Sequence, residues 1–235
     1  MKMSVASVLF DLDGTLVDPA GSITSGIRYA LVAHGIADPG EERIEALVGP
    51  PLQIGLRTVD GVDEKNIDGI IDTYRTRYAE VGMAQSKLYP GIRQLLAALR
   101  GRGIHVAVTT AKPEQIAREL IAAQKLEDCL DAVHGNSSEH GGHGSSKAHI
   151  VAAALEAGGL DPARSVVVGD RHYDIDAAKA NAVASIGVDW GFAQGDELDI
   201  ADYRVSTTAG LAQLLLGAEA AKQINFHELM QEGAQ

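Results

Sequence analysis

Short runs of β-branched and aliphatic residues alternate with amphipathic segments along most of this 235-residue chain. The runs have the length and composition of buried strands, and the segments between them repeat apolar residues with the period of a helix. The predicted strands are Val5–Phe10, His105–Thr109, Leu130–His134, Ser165–Gly169 and Ala184–Val188. The predicted helices are Ile92–Arg100, Pro113–Gln124, Ala148–Ala157 and Ile175–Asn181. This alternation predicts an α/β fold, a doubly wound and mainly parallel sheet with helices on both faces.

One interval, residues 19–89, interrupts the alternation because its pattern is helical throughout. Four helical segments separated by glycine and proline are predicted there: Ser22–His34, Glu41–Val48, Leu52–Val59 and Asp63–Val81. We therefore predict a core domain formed by residues 1–18 and 90–217, with a helical-bundle cap domain inserted at 19–89. Residues 218–235 are predicted to form a short docked helix or a frayed tail. The loop 135–146, rich in glycine and histidine, is predicted to be flexible.

Charge, apolar runs and cysteine content limit the possible partners and the cellular location of the protein. The net charge is −12, from 20 basic and 32 acidic residues, which argues against nucleic acid and anionic membrane surfaces as main partners. No apolar run is long enough to span a bilayer. Cys129 is the single cysteine, so no disulfide can form within the chain. These features predict a cytoplasmic protein and leave both a monomer and a homodimer open.

Two carboxylates, Asp11 and Asp13, directly follow the first predicted strand, and Gly14 then marks a tight turn. Side chains at positions i and i+2 of a strand point the same way, so both carboxylates should crowd the carboxyl end of this strand. Two like charges at that distance are stabilised by a bound cation. Taken alone, the same residues more often form a solvated turn that caps the next element.

Polar residues also follow other predicted strands. Thr110 comes after the second strand, whereas Asp170 and Asp174 follow the strand Ser165–Gly169 and lie one helical turn apart. Lys147 opens a helix, where its charge opposes the helix dipole unless an anion compensates. Each residue has an ordinary explanation by itself: a turn for Thr110, a solvated side chain for Lys147 and a helix N-cap for Asp170.

The fold class brings these residues together, because parallel strands bind ligands at the edge where their carboxyl ends meet. Four carboxylates converging at one edge would be costly without a cation. A ligand set made only of oxygen atoms favours Mg²⁺ over zinc. The sequence therefore predicts a magnesium site at this edge.

These segments, in this order, resemble those of the haloacid dehalogenase superfamily of aspartate-nucleophile phosphohydrolases. The segments that carry the resemblance are VLFDLDGTLVD, LVGPPL, YRTRY, LYPGI, TAKPE, SSKAHIV and VVVGDRHYDIDAAKAN. They extend from about Val5 to Leu216 and look like the phosphoglycolate phosphatase and 5′-nucleotidase-like branch. The pair DxDGT and GDxxxD is the specific signal for the superfamily, whereas LVGPPL and YRTRY point only to the branch.

The resemblance implies a role for each site residue. Asp11 would be the nucleophile that forms an aspartyl-phosphate, and Asp13 would be the general acid and base. Mg²⁺ would be held by the Asp11 carboxylate, the Asp13 backbone carbonyl and Asp170. Thr110 would bind the phosphoryl oxygens.

In the same scheme, Lys147 would also bind the phosphoryl oxygens, and Asp174 would order Lys147 or a metal-bound water. The cap would close over the site, exclude water and admit small substrates. In the cap, the turn that contains Pro50 and Pro51 is a candidate for contact with the substrate, and an ordinary turn between helices is an equal alternative. For Lys112, two positions stay open: its side chain could approach the phosphate or project into the solvent.

The predicted function is hydrolysis of small phosphomonoesters, such as phosphoglycolate, nucleoside monophosphates or sugar phosphates, with Mg²⁺ as cofactor. Dehalogenases of the superfamily lack the second acid that Asp13 supplies, since halide leaves without a proton. Two alternatives stay open: a phosphomutase of the same superfamily and a binding or regulatory protein on this fold. A protein of the last kind would have lost site residues that this chain contains.

Overall fold

Aliphatic and β-branched residues fill a six-stranded parallel sheet. A computed structural model of the chain describes residues 3–19, 21–136 and 146–224. The strands in these ranges are β1 (Ser7–Phe10), β2 (Val17–Asp18), β3 (Lys87–Leu88), β4 (His105–Pro113), β5 (Ala132–Asn136), β6 (Ser165–Gly169), β7 (Ala184–Val188) and β8 (Tyr203–Val205). β2 and β3 form a separate antiparallel pair, and the other six pair in the order β5-β4-β1-β6-β7-β8. β1 therefore lies between β4 and β6.

Helices alternate with these strands along the chain and either pack on the two faces of the six-stranded sheet or form an insertion. They are α1 (Ser22–Ala33), α2 (Glu41–Glu45), α3 (Leu52–Leu56), α4 (Ile67–Arg77), α5 (Met83–Gln85), α6 (Ile92–Arg100), α7 (Glu114–Ala123), α8 (Lys147–Gly158), α9 (His172–Ala180), α10 (Thr208–Leu216) and α11 (Ala218–Lys222). Val8 and Phe10 of β1 belong to the hydrophobic core beneath α6, α7 and α10, whereas Leu9 belongs to the core beneath α8 and α9. A strand buried on both faces requires this arrangement. The predicted doubly wound α/β fold is confirmed.

The core elements lie where the sequence predicts them, with shifted ends. β5 begins at Ala132 and not at Leu130, and α9 begins at His172. β4 continues to Pro113, so this proline is the N-cap residue of α7 and does not lie in the first helical turn as predicted. β8 is not among the predicted strands, because a three-residue edge strand is too short to give a recognisable pattern.

The segment between β2 and β3 is a helical insertion formed by α1 to α5, with a π-helical turn, Tyr78–Gly82, after α4. It has a hydrophobic core of its own, which includes Ile27, Leu31, Ile44, Leu56 and Ile70. The predicted helices of this segment are present but shorter. The two-residue strand β3 departs from the prediction of an interval without strands. The domain limits predicted at 18/19 and 89/90 stay predictions.

Two further predicted segments are described only in part. Residues 218–222 form α11, and Ala221 is buried in the core, as a docked helix requires. Residues 225–235, and residues 137–145 of the predicted flexible loop, lie outside the described residues. Within the described ranges, every helix is too short or too polar to cross a membrane.

Candidate active site

The carboxyl ends of β1, β4 and β6 meet at one edge of the sheet. Because β1 pairs with β4 on one side and with β6 on the other, Asp11, Thr110 and Asp170 are carried by three adjacent strands or the turns that follow them. The backbone N–H of Asp11 donates to the carbonyl of Val168 at 2.9 Å, which fixes the end of β1 against β6. The chain reverses its winding direction about β1, and open α/β sheets bind ligands at such a point.

Lys147 is buried at the first residue of α8 and contacts two carboxylates. Its Nζ lies 2.7 Å from Asp11 Oδ1, also contacts Asp174 Oδ1, and belongs to a side chain that is only 5% exposed. Burial by itself would lower the pKa of Lys147, but the charges of Asp11 and Asp174 raise it above its ordinary value. The anion expected beside a lysine at a helix N-terminus is therefore supplied by the protein.

Asp11, Asp170 and Asp174 place carboxylate oxygens within 4.8 Å of one another, and all three residues are buried. Burial, with the charge of Asp11 as the next cause, raises the pKa of Asp170 to about 8. Burial also raises the pKa of Asp174 to about 6, although Lys147 opposes this shift. The excess of negative charge and the oxygen-only donor set suit a hard divalent cation. This cluster can hold a metal ion.

Asp170 accepts a hydrogen bond at each of its carboxylate oxygens. Thr15 Oγ1 donates to Oδ1 at 3.1 Å, and the backbone N–H of Phe192 donates to Oδ2 at 2.7 Å. A Cβ atom added to Gly14 or Gly191 would lie 2.2 Å or 2.3 Å from Oδ2, so both positions need glycine for this close approach. Sequence reasoning missed this contribution of the loop after β7, because a backbone N–H leaves no residue-type signal.

The Asp13 carboxylate is not one of the three clustered carboxylates and pairs with Lys112. Lys112 Nζ is 3.0 Å from Asp13 Oδ2 and 4.1 Å from the centre of the Tyr78 ring. Burial raises the pKa of Asp13, and the nearby charge of Lys112 opposes that shift. The side chain of Lys112 is thus enclosed in the site and nearly buried, which the sequence left undecided.

Thr110 lies where β4 is irregular. Between Thr109 and Pro113 the strand departs from its regular pairing with β5. Thr110 is buried, and its Oγ1 accepts a hydrogen bond from the backbone N–H of Lys112 at 3.2 Å. Irregular pairing of this kind is common beside active sites because it changes the direction of side chains.

The predicted cap turn meets the core at Arg171. The buried Arg171 guanidinium donates to Glu197 Oε1 at 2.7 Å and to the carbonyl of Val48. Gly49 has a φ of +112°, and a Cβ atom at this position would lie 3.0 Å from Arg171 Cγ. The two prolines that follow are half-buried, and their contact with a substrate stays a prediction. His172 hydrogen-bonds to Glu197 and is partly exposed.

The fold and the site together define a doubly wound α/β protein with a helical insertion and a buried carboxylate–lysine site at the centre of the sheet edge. Residues 8–188 match the family model of the haloacid dehalogenase-like hydrolases. The chain belongs to this family.

Relatives with known names cover most of the chain. A 5′-nucleotidase of Pseudomonas aeruginosa is 37% identical over 82% of this chain and 86% of its own length. A phosphoglycolate phosphatase of Agrobacterium fabrum is 33% identical over 78% and 80%. A protein named tyrosine-protein kinase PtkA, from Mycobacterium tuberculosis, is 37% identical over 86% and 68%. These names support the predicted branch and show that relatives carry more than one activity.

A solved structure supports the fold. The crystal structure of a predicted phosphatase from Clostridium acetobutylicum superposes with a TM-score of 0.82 at 34% identity. The match covers 89% of this chain and 98% of that chain, so it includes both the sheet and the helical insertion.

Proposed function

We propose that this protein is a Mg²⁺-dependent phosphatase of small phosphomonoesters. The observation that carries the proposal is the buried contact of Lys147 with Asp11 and Asp174, within the carboxylate cluster that includes Asp170. In the proposal, Asp11 is the nucleophile, Lys147 is the cation that binds the phosphoryl group, and the carboxylate cluster supplies the metal ligands. The names of two relatives, a 5′-nucleotidase and a phosphoglycolate phosphatase, support the same chemistry.

In the proposed reaction the Asp11 carboxylate attacks phosphorus, and the bond from phosphorus to the ester oxygen breaks. The leaving oxygen takes a proton from Asp13, so the first products are an alcohol and an aspartyl-phosphate. Water then attacks this phosphorus, Asp13 takes a proton from the water, and the bond from phosphorus to Asp11 breaks. Phosphate is released, and both aspartates return to their starting states.

The residues present fit Mg²⁺, which prefers oxygen ligands. The carboxylates of Asp11 and Asp170, with the backbone carbonyl of Asp13, would hold it. When bound, the ion supplies positive charge that offsets the repulsion between the nucleophile and the phosphate. Lys147 and Thr110 bind the phosphoryl oxygens, and Asp174 keeps the Lys147 ammonium in place.

The helical insertion favours a small substrate. Two residues of the core, Ile116 and Phe192, pack against the hydrophobic core of the insertion. Phe192 also donates its backbone N–H to Asp170, so the insertion rests directly beside the predicted metal site. A cover at this position excludes water during the reaction and restricts access by macromolecules. Nucleoside monophosphates and phosphoglycolate are therefore the first substrates to test.

The proposal is tested by release of phosphate from these esters in the presence of Mg²⁺ and of a chelator. Asp11→Asn should lower kcat by at least about 1,000-fold, because the amide is not a nucleophile. Asp176→Asn, which changes an exposed carboxylate of α9, should leave kcat unchanged. Full turnover by Asp11→Asn would overturn the proposal, and isomerised product without free phosphate would indicate a mutase.

A further inference from the structure

Lys112 lies between Asp13 and the helical insertion and is almost completely buried. Its side chain is 8% exposed, with Nζ at 3.0 Å from Asp13 Oδ2. On its other side is the ring of Tyr78, whose centre is 4.1 Å from Nζ. Tyr78 begins the π-helical turn of the insertion and stacks on Tyr74, with 5.9 Å between ring centres. One ammonium group is therefore enclosed by the core and the insertion together.

This contact makes the two carboxylate oxygens of Asp13 different. Oδ2 is occupied by the Lys112 ammonium, whereas Oδ1 is buried and accepts no hydrogen bond from any residue that the structure describes. A buried acceptor without a partner costs free energy. A group that enters the site can supply this partner, and the oxygen atoms of the ester and of the attacking water are such groups.

We propose that Lys112 is a positioning residue, which fixes Asp13 through Oδ2 and so presents Oδ1 for proton transfer. The inference rests on the proposed function, because it requires Asp13 to be the general acid and base. Displacement of a reacting group by about 1 Å can cost on the order of 100-fold in rate. Fixing this carboxylate is therefore a contribution to the rate, although Lys112 itself need not touch the substrate.

The insertion takes part in this positioning through Tyr78. A cation above an aromatic ring is held more firmly when water is excluded, as it is around Lys112. Lys112 can make both contacts only while the insertion is packed on the core. Packing of the insertion and orientation of Asp13 are therefore linked by a single side chain.

The test compares two esters that differ in their need for a proton. The leaving alkoxide of 2-phosphoglycolate requires one, whereas p-nitrophenolate departs without it. kcat/KM reports the steps up to release of the alcohol, so it isolates the first proton transfer. Lys112→Met should lower kcat/KM by about 100-fold for 2-phosphoglycolate and by less than about 10-fold for p-nitrophenyl phosphate.

Two variants define the controls. Lys112→Arg, which keeps the charge, should recover most of the loss on 2-phosphoglycolate. Lys179→Met, which removes an exposed lysine of α9, should behave as wild type with both esters. Retained turnover of p-nitrophenyl phosphate by Lys112→Met shows that this variant is folded. An equal loss with both esters would overturn the inference, because it would indicate that Lys112 binds phosphate or only supports the fold.

Tyr78→Leu and Asp13→Asn separate the remaining outcomes. Tyr78→Leu removes the ring and should lower kcat/KM selectively for 2-phosphoglycolate, by less than Lys112→Met does. Wild-type kcat/KM with both esters would overturn the link to the insertion. Of the three variants, Asp13→Asn should show the largest selective loss of kcat/KM for 2-phosphoglycolate. If Asp13→Asn retained wild-type kcat/KM with both esters, the proposed function itself would fail. Loss in Asp13→Asn with wild-type behaviour in Lys112→Met would overturn only the positioning role.

Discussion

At the residue scale, the predicted metal site depends on groups that neither bind the metal nor react. The Asp170 carboxylate is fixed by Thr15 and by the backbone N–H of Phe192, and Gly14 and Gly191 leave the space in which it lies. Replacing a group that orients a metal ligand typically lowers metal affinity by about 10- to 100-fold. The absence of a side chain at Gly14 and Gly191 is therefore a structural requirement of the site.

Gly191→Ala is expected to weaken Mg²⁺ binding by about 10- to 100-fold. The added Cβ would lie 2.3 Å from Asp170 Oδ2 and 2.4 Å from the carbonyl oxygen of Gly14, so the carboxylate must move. Isothermal titration of the folded protein with Mg²⁺ measures the change. Gly210→Ala in α10 is the matched control and should bind as wild type. Unchanged affinity in Gly191→Ala would contradict the role given to this glycine.

At the element scale, the sequence predicted the type and order of most strands and helices, but not their exact ends or their local irregularities. The apolar runs His105–Thr109 and Ser165–Gly169 predicted two strands, and both are present as β4 and β6. The departure from regular pairing between Thr109 and Pro113 depends on how β4 meets β5, so the sequence of β4 alone did not reveal it. The same irregularity contains Lys112, which explains why its direction could not be predicted.

The turn before α3 is one of the elements that connect the insertion to the core, through Arg171 and the carbonyl of Val48. Arg171→Gln should speed amide hydrogen exchange in residues 41–56, with the opening free energy lowered by about 1–3 kcal/mol. Arg204→Gln removes a surface arginine that pairs with Asp189 and should leave the exchange rates of residues 41–56 unchanged. Unchanged exchange in residues 41–56 of Arg171→Gln would contradict this tie.

At the scale of the whole molecule, folding brings an excess of carboxylates into a buried site, so stability depends on pH and metal together. Without metal, the raised pKa values of Asp170, about 8, and Asp174, about 6, mean that the folded state holds these protons more tightly than the unfolded chain. Their contribution to stability is present below the ordinary carboxyl pKa of about 4 and is lost as the pH rises to about 8.

Mg²⁺ should therefore raise the melting temperature more at about pH 8 than at about pH 5, because it binds the deprotonated carboxylates. Thermal unfolding with Mg²⁺ and with a chelator at both pH values measures this difference. In Asp170→Asn, which removes a predicted ligand, the gain from Mg²⁺ should shrink at both pH values. An equal gain at the two pH values in the unaltered protein would count against a metal held by this cluster.

Residue type and spacing over a few positions were enough to predict the alternation of strands and helices, the helical insertion and the set of carboxylates with Lys147. The pairing of Lys112 with Asp13, and the hydrogen bond from Thr15 to Asp170, 155 positions away, could be seen only in the folded protein. The same is true of the contact between Arg171 and Val48, 123 positions apart. Such contacts use backbone atoms and distant side chains, whose meeting depends on how the whole chain packs and leaves no local pattern.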